Sequence, residues 1–303
     1  MQRRNFVKRS AQGVMILGSR NFSMPVEEMW TPKKTDTHVH LFNLNRFEYS
    51  WLKNVPKIDR SFTLEDFSEA THACNVRNIL FMESGADQKY ALQEALWVTE
   101  LARNDKRIKG LIAKMDLSEK LWKLSEFQEL KKIAILKGGR GTFLLDRPDF
   151  VDNLKYLGDQ RLTFDILLPA DQLEKAAGIC HQSPGTTFIL DHVGHPDYQS
   201  GGEENWKKGI DALSQLSNVY CKVSGMISRI GVQWTLEQLR PVFNYVFMKF
   251  GPDRLLYGGD WPVVLLADSY QSWSNAFNLL ISGYSRSVQN KMAHKNADRI
   301  YDL

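Results

Sequence analysis

From residue 34 onward, short apolar runs rich in β-forming residues alternate with amphipathic stretches of helical length. Runs of about four to eight such residues predict strands, and apolar residues at helical spacing predict the helices between them. The runs begin on average about 31 residues apart, a length that accommodates one strand, one helix and two loops. The pattern predicts eight strands, at residues 35–42, 78–84, 108–116, 136–144, 163–169, 187–195, 219–226 and 254–262.

Eight β/α units in one chain of 303 residues predict an α/β protein with a single-domain (β/α)8 TIM barrel. A doubly wound open sheet is the alternative. It is less favoured because the first predicted strand continues as "THVHLFNLNRF", which lacks the glycines of a dinucleotide-binding turn. We assign the barrel to residues 31–303 and treat residues 1–30 as a tail outside the fold.

The tail carries the excess positive charge of the chain. The formal net charge is +4, and the first twenty residues contain five basic residues and no acidic one. The barrel is therefore nearly neutral, which disfavours nucleic acid as a partner and leaves a small molecule. A homo-oligomer is compatible with the sequence. No apolar run approaches the roughly 20 residues that span a bilayer.

The same tail bears on localisation. Its sequence "RRNFVKRSAQGVMILGS" is similar to a twin-arginine export signal, and it is equally typical of an ordinary basic tail. We expect a cytoplasmic protein, or a periplasmic one if the signal functions.

Polar residues cluster at the ends of the predicted strands, where a barrel gathers its functional residues. In the first strand, His38 and His40 are two residues apart and so share one face. The polar and aromatic candidates at the strand ends are His38, His40, Glu83, Arg140, His192, His195, Lys222, Asp260 and Trp261.

Four of these residues are the candidate reactive groups. His38, His40, His192 and Asp260 could hold one Zn²⁺ or Mn²⁺ and leave a position for water. They could also act without metal, with Asp260 as the general base and the histidines stabilising an oxyanion. The residue types leave both alternatives open.

The remaining candidates suit a polar, ring-shaped substrate. Arg140 and Lys222 can bind a carboxylate or hydroxyl groups. Trp51 and Trp261 offer flat surfaces of the kind that stack on sugar rings. Glu83 and His195 complete the predicted set of substrate contacts.

The motifs "DTHVHLF", "YSWL", "FILDHVGHP", "KVSGM", "RLLYGGDWPV" and "NADRIYDL" occur in this order between residues 35 and 303. In sequence and spacing they resemble the amidohydrolase-related family, and within it the sugar-lactone and 2-pyrone-4,6-dicarboxylate lactonase branch. The resemblance implies a TIM-barrel hydrolase that opens a sugar-acid lactone. It further implies that Asp260 activates water, that His38, His40 and His192 polarise the carbonyl, and that Arg140 binds substrate.

The resemblance also bears on cofactors. Members of this branch work without an essential metal, which implies that no cofactor is required. Many related families require one, so the alternative is one divalent metal, Zn²⁺ or Mn²⁺. The predicted fifth strand, "TFDILLP", lacks the histidine of the binuclear relatives, and the fourth has no lysine at its carboxyl end for a bridging carbamate. The alternatives are a metal-dependent decarboxylase of the same superfamily and a sugar-acid-binding barrel without chemistry. A barrel nuclease is disfavoured by the neutral barrel and by the missing histidine.

Overall fold

All eight predicted strands are present in the computed structural model, which describes residues 30–198 and 203–303. Each begins within two residues of its predicted start. The twin-arginine-like run lies outside the described residues. Strands β1 to β8 cover, in order, Lys34–Val39, Val76–Met82, Ile108–Lys114, Leu136–Arg140, Thr163–Ile166, Phe188–Leu190, Val219–Val223 and Leu255–Tyr257.

The strands form one parallel sheet in sequence order, β1 to β8. A parallel bridge between Val39 and Trp261 brings the first strand beside the end of the last. Two backbone hydrogen bonds accompany it, from His40 N to Trp261 O and from Asp260 N to His38 O, both 2.8 Å. The predicted (β/α)8 barrel is therefore confirmed.

Helices connect the strands and cover the outside of the barrel. The first begins with a capping box, in which the Thr63 hydroxyl accepts from Asp66 N and the Asp66 carboxylate accepts from Thr63 N. No helix within the described ranges is long and apolar enough to cross a membrane. Helices α1 to α11 cover, in order, Leu64–Thr71, Ala91–Asn104, Ser125–Leu130, Pro148–Asp159, Leu173–His181, Glu203–Ser214, Met226–Ile230, Leu236–Phe250, Tyr270–Ile281, Arg286–Asn290 and Asn296–Ile300.

The interior of the barrel is apolar at one end and charged at the other. Leu80, Met82 and Ile112 belong to an apolar cluster that Tyr301, which follows α11, completes. This cluster lies toward the amino ends of the strands, because Asn296 at the start of α11 donates to Leu255 O, where β8 begins. Buried ionisable side chains occupy the opposite end, so the site is expected there.

Candidate active site

The carboxyl ends of the strands surround a cavity of about 490 Å³. Seven of the ten predicted site residues line it: His40, Trp51, Glu83, Arg140, His192, His195 and Asp260. The other three, His38, Lys222 and Trp261, are buried without lining the cavity.

His40 and Asp260 lie at the floor of the cavity, and His38 lies directly beneath it. Asp260 Oδ1 lies 3.7 Å from His38 Nε2 and 3.7 Å from His40 Nε2. The His38 ring is also 4.4 Å from the ring of His192, between centroids. The fold thus brings together the four residues that the sequence predicts as reactive.

Hydrogen bonding fixes where His40 carries its proton. His40 Nδ1 is 3.1 Å from Met82 O, and because a carbonyl only accepts, Nδ1 is the donor. Asp191 Oδ1 lies 3.3 Å from His38 Nδ1, which favours the proton on that nitrogen too. Burial lowers the pKa of His38 to about 4 and that of His40 well below its usual value, so both rings are neutral. Both Nε2 atoms therefore present lone pairs to Asp260.

The two Nε2 atoms and the Asp260 carboxylate could together bind a proton or a metal cation. Two lone pairs and a carboxylate oxygen converge, and His38 Nε2 has no hydrogen-bond partner among the described residues. The three ligand atoms lie within 4.8 Å of one another. Ligands bound tetrahedrally to zinc at about 2.1 Å are about 3.4 Å apart, close to the separations seen here. His38, His40 and Asp260 are thus one set of residues that could hold a divalent metal, and His38, Asp191 and His192 form a second such set.

Asp260 follows Gly258 and Gly259 and has a left-handed backbone, with φ +56°. Its second carboxylate oxygen, Oδ2, is 3.4 Å from the Ser228 hydroxyl. Burial raises the pKa of Asp260 to about 8. In its ionised form a carboxylate with a raised pKa is a stronger base than an exposed one, so ionised Asp260 is suited to accept a proton from water.

Arg140 is held by a chain of buried ion pairs. Its Nε donates to Glu83 Oε1 at 2.6 Å and its Nη1 to Asp191 Oδ2 at 3.1 Å. Lys222 Nζ lies 3.2 Å from Asp191 Oδ1 and also pairs with Asp165. The positive charge of Arg140 is therefore already balanced by protein carboxylates.

Two expected substrate contacts need correction. Lys222 has no exposed surface, and its ammonium group serves the ion pairs beneath the cavity. Trp261 packs edge-on against Phe62 and Phe67 on the outer side of the sheet, so its ring is not a platform for substrate. Trp51 does line the cavity, and its indole N–H donates to Ser84 O at 3.1 Å.

Several residues that line the cavity were not predicted. The side chain of Arg229 is exposed, and its guanidinium makes no ion pair or hydrogen bond with the described residues. Its charge acts on His195, whose pKa is lowered to about 4 chiefly by burial and then by Arg229. The apolar side chains of Leu167, Val263 and Leu266 form part of the wall. The polar residues of "SGMISRIG", which follows β7 and contains α7, were the signal in the sequence that could have identified Arg229.

Fold and site together define a TIM-barrel hydrolase. The chain belongs to the amidohydrolase family, whose model matches residues 35–303. It is 24% identical over 258 residues to an L-fucono-1,5-lactonase of Burkholderia multivorans, covering 78% of this chain and 84% of that protein. It is 23% identical over 256 residues to a 4-sulfomuconolactone hydrolase of Rhizobium radiobacter, covering 81% of each.

A solved structure shares the fold. The crystal structure of an amidohydrolase from Burkholderia multivorans with bound zinc superposes with a TM-score of 0.78 at 23% identity. The match covers 89% of this chain and 99% of that one.

Proposed function

We propose that this protein hydrolyses a sugar-acid lactone, with Asp260 as the general base. The observation that carries the proposal is the convergence of Asp260 with His38 and His40 at the floor of an open cavity. Asp260 takes a proton from water while the water oxygen bonds to the lactone carbonyl carbon. The tetrahedral intermediate then collapses, the ring C–O bond breaks, and the proton passes to the departing ring oxygen to give a hydroxy acid.

His192 is the imidazole that stabilises the charge developing on the carbonyl oxygen, because the Nε2 atoms of His38 and His40 carry lone pairs and cannot donate to it. His192 lines the cavity and its Nδ1 is 3.0 Å from the Ser224 hydroxyl, which holds the ring in place. His38 and His40 would hold a divalent cation together with Asp260, and such an ion, when bound, acts as a Lewis acid toward the carbonyl. The neutral state of both rings is the state that binds metal.

The lining of the cavity supports a lactone that carries both polar and apolar surface. Trp51, Leu167 and Leu266 offer apolar contact to a ring, and Arg229 offers hydroxyl or carboxylate groups a guanidinium that no described residue pairs. Relatives whose names specify L-fuconolactone and sulfomuconolactone are consistent with such a substrate.

The test is a lactone-library hydrolysis assay on the wild type and on Asp260→Asn. We expect the wild type to hydrolyse at least one sugar-acid lactone, and the variant to lose at least about a thousandfold in kcat with an unchanged thermal melt. Asp152→Asn, the same change on an exposed face of α4, is the control and keeps full activity. Near wild-type turnover by Asp260→Asn would refute the assignment.

Repeating the assay after exhaustive chelation addresses the cofactor. A rate that falls and returns with Zn²⁺ would show that a cation is required, whereas an undiminished rate would show that the protein residues suffice. An undiminished rate would also eliminate the metal-dependent decarboxylase. Tight binding of a sugar acid without hydrolysis of any lactone would favour the non-catalytic barrel.

A further inference from the structure

The residues that follow β6 form a left-handed turn. His192, Val193, Gly194 and His195 have φ values of +53°, +50°, +73° and +52°. Residues other than glycine, asparagine and aspartate rarely adopt this conformation, and where they do it is usually at a single position. A β-branched residue such as Val193 is an outlier there, because its side chain crowds the backbone. Three of these four consecutive residues, His192, Val193 and His195, are therefore held in an unfavourable backbone state.

The turn determines where the His192 ring lies. The ring reaches Ser224 Oγ at 3.0 Å and stacks on His195 at 5.0 Å between centroids. The space it occupies exists only because residue 225 is glycine, since a Cβ there would lie 2.4 Å from His192 Nδ1. If the backbone relaxed to the right-handed region, the ring would leave this position beside His38.

A side chain from outside the cavity holds the turn. The indole N–H of Trp206, on α6, donates to Val193 O at 2.7 Å, and both residues are buried. Gly194 packs so closely that a Cβ would lie 2.8 Å from the side chain of Leu173. The fully buried Val193 therefore combines an unfavourable backbone conformation with a hydrogen bond that the relaxed turn would lose.

We propose that Trp206 is a positioning residue for the hydrolytic reaction, and that it acts by holding the strained His192–His195 turn through Val193 O. The inference rests on the proposed function for its kinetic test. Trp206 does not line the cavity, so its removal is expected to act on turnover through His192 rather than on substrate contact.

The experiment is a double-mutant cycle with Trp206→Phe and Val193→Gly. Trp206→Phe keeps a ring and removes the donor, and we expect kcat to fall about 10- to 100-fold with little change in KM. Glycine adopts the left-handed region without strain, so Val193→Gly in the Trp206→Phe background is expected to restore kcat at least about fivefold. It is not expected to restore Tm, because the buried valine side chain is lost.

Thr186→Val is the control, since it removes another buried side-chain donor to a carbonyl at 2.7 Å, far from the turn. It should lower Tm and leave kcat unchanged. A kcat of Trp206→Phe within twofold of the wild-type value would overturn the proposal. So would a double variant whose fold-change in kcat equals the product of the two single-variant fold-changes, because the two residues would then act independently. If Trp206→Phe does not fold, 3-benzothienylalanine at position 206 keeps the shape of the indole and replaces only the N–H.

Crystal structures of the wild type and the Trp206 variant separate this proposal from the proposed function. We expect the variant to show a Val193 φ outside the left-handed region or His192 Nδ1 more than about 1 Å farther from Ser224 Oγ. An unchanged turn would overturn the positioning role. Absence of lactone hydrolysis by the wild type would instead refute the function while leaving this structural test intact.

Discussion

Arg140, Lys222 and Arg229 all carry positive charge near the cavity, and they differ in whether a carboxylate neutralises that charge. Arg140 and Lys222 are buried and balanced by Glu83, Asp165 and Asp191. Removing one member of such a network leaves an uncompensated buried charge, which costs about 3–5 kcal/mol. Arg229 is exposed at the cavity and unpaired within the described residues. Its charge is therefore available to a substrate, whereas the charges of Arg140 and Lys222 are already balanced by protein carboxylates.

Arg229→Gln is accordingly expected to weaken substrate binding without affecting stability. A charge-assisted contact is worth about 1.5–3 kcal/mol, so KM should rise about 10- to 100-fold, and kcat should change much less. The free energy of unfolding in urea should stay within about 0.5 kcal/mol of the wild type. Unchanged KM values for every lactone that the wild type hydrolyses would contradict a substrate contact at Arg229.

A second prediction at this scale concerns Glu94, which is buried on α2 and forms no ion pair with any residue that the structure describes. Its Oε2 accepts from Ser84 N at 3.2 Å, and burial, followed by the charge of Glu83, raises its pKa to about 8. The unfolded chain releases this proton near pH 4.5, whereas the folded protein keeps it until about pH 8. Rising pH between these values therefore destabilises the wild type, by up to about 1.4 kcal/mol per pH unit.

Glu94→Gln keeps the acceptor and removes the ionisation. In urea unfolding, the variant should be more stable than the wild type at pH 9 and equal to it near pH 4.5. Glu100→Gln, on the exposed side of the same helix, is the control and should show no such pH dependence, because a surface ion pair contributes little. A constant difference between Glu94→Gln and the wild type across this range would contradict the raised pKa.

At the scale of elements, the sequence pattern identifies every strand but not the depth of a residue inside the barrel. The two-residue alternation places Lys222 and Ser224 on one face of the strand, and both are buried, but it does not show that Lys222 lies a layer below the cavity. Predicted strands also run too long. The sixth ends at Leu190 rather than at 195, because the left-handed turn starts immediately afterward. Nothing in the pattern signals positive φ at His192, Val193 or Asp260, since tertiary contacts impose it.

Loops as well as strands shape the site, and Gly85 joins two of them. It follows β2 with φ +72°, and a Cβ there would lie 2.7 Å from the indole nitrogen of Trp51. Gly85→Ala should displace Trp51 from the cavity wall and raise KM several-fold, and the left-handed backbone should cost about 1–2 kcal/mol of stability. Steady-state kinetics and urea unfolding measure the two effects.

The matched control is Gly178→Ala in α5, where an added Cβ meets open space. Alanine is the better helix former, so this variant should gain about 0.5–1 kcal/mol of stability and keep the wild-type KM. If Gly85→Ala behaved like this control, Trp51 would not be positioned by the close approach.

At the scale of the whole molecule, the reactive residues lie where the barrel closes. His38 and His40 belong to the first strand and the residue that follows it, and Asp260 follows the last strand. Asp36 joins the two ends: its Oδ1 accepts from His38 N at 3.0 Å and from Gly259 N at 2.7 Å. The geometry of the site therefore depends on contact between residues more than 200 positions apart, so the site exists only in the fully closed barrel.

Tyr270→Phe tests this dependence, because the Tyr270 hydroxyl donates to Asp36 Oδ2 at 2.7 Å inside the core. Its loss leaves a buried carboxylate oxygen without that donor, which should cost about 1–3 kcal/mol and lower kcat as well. Tyr245→Phe removes a hydroxyl that also donates to a carboxylate at 2.7 Å, on the outer helices. It should cost less than about 1 kcal/mol of stability and leave kcat unchanged.

Urea unfolding of Tyr270→Phe tests whether the site can be lost separately from the barrel. Because the site is built from the residues that close the barrel, activity and the circular dichroism signal should be lost in the same urea transition. Activity lost well before the secondary structure would instead mean that the β1–β8 closure opens independently of the remaining barrel.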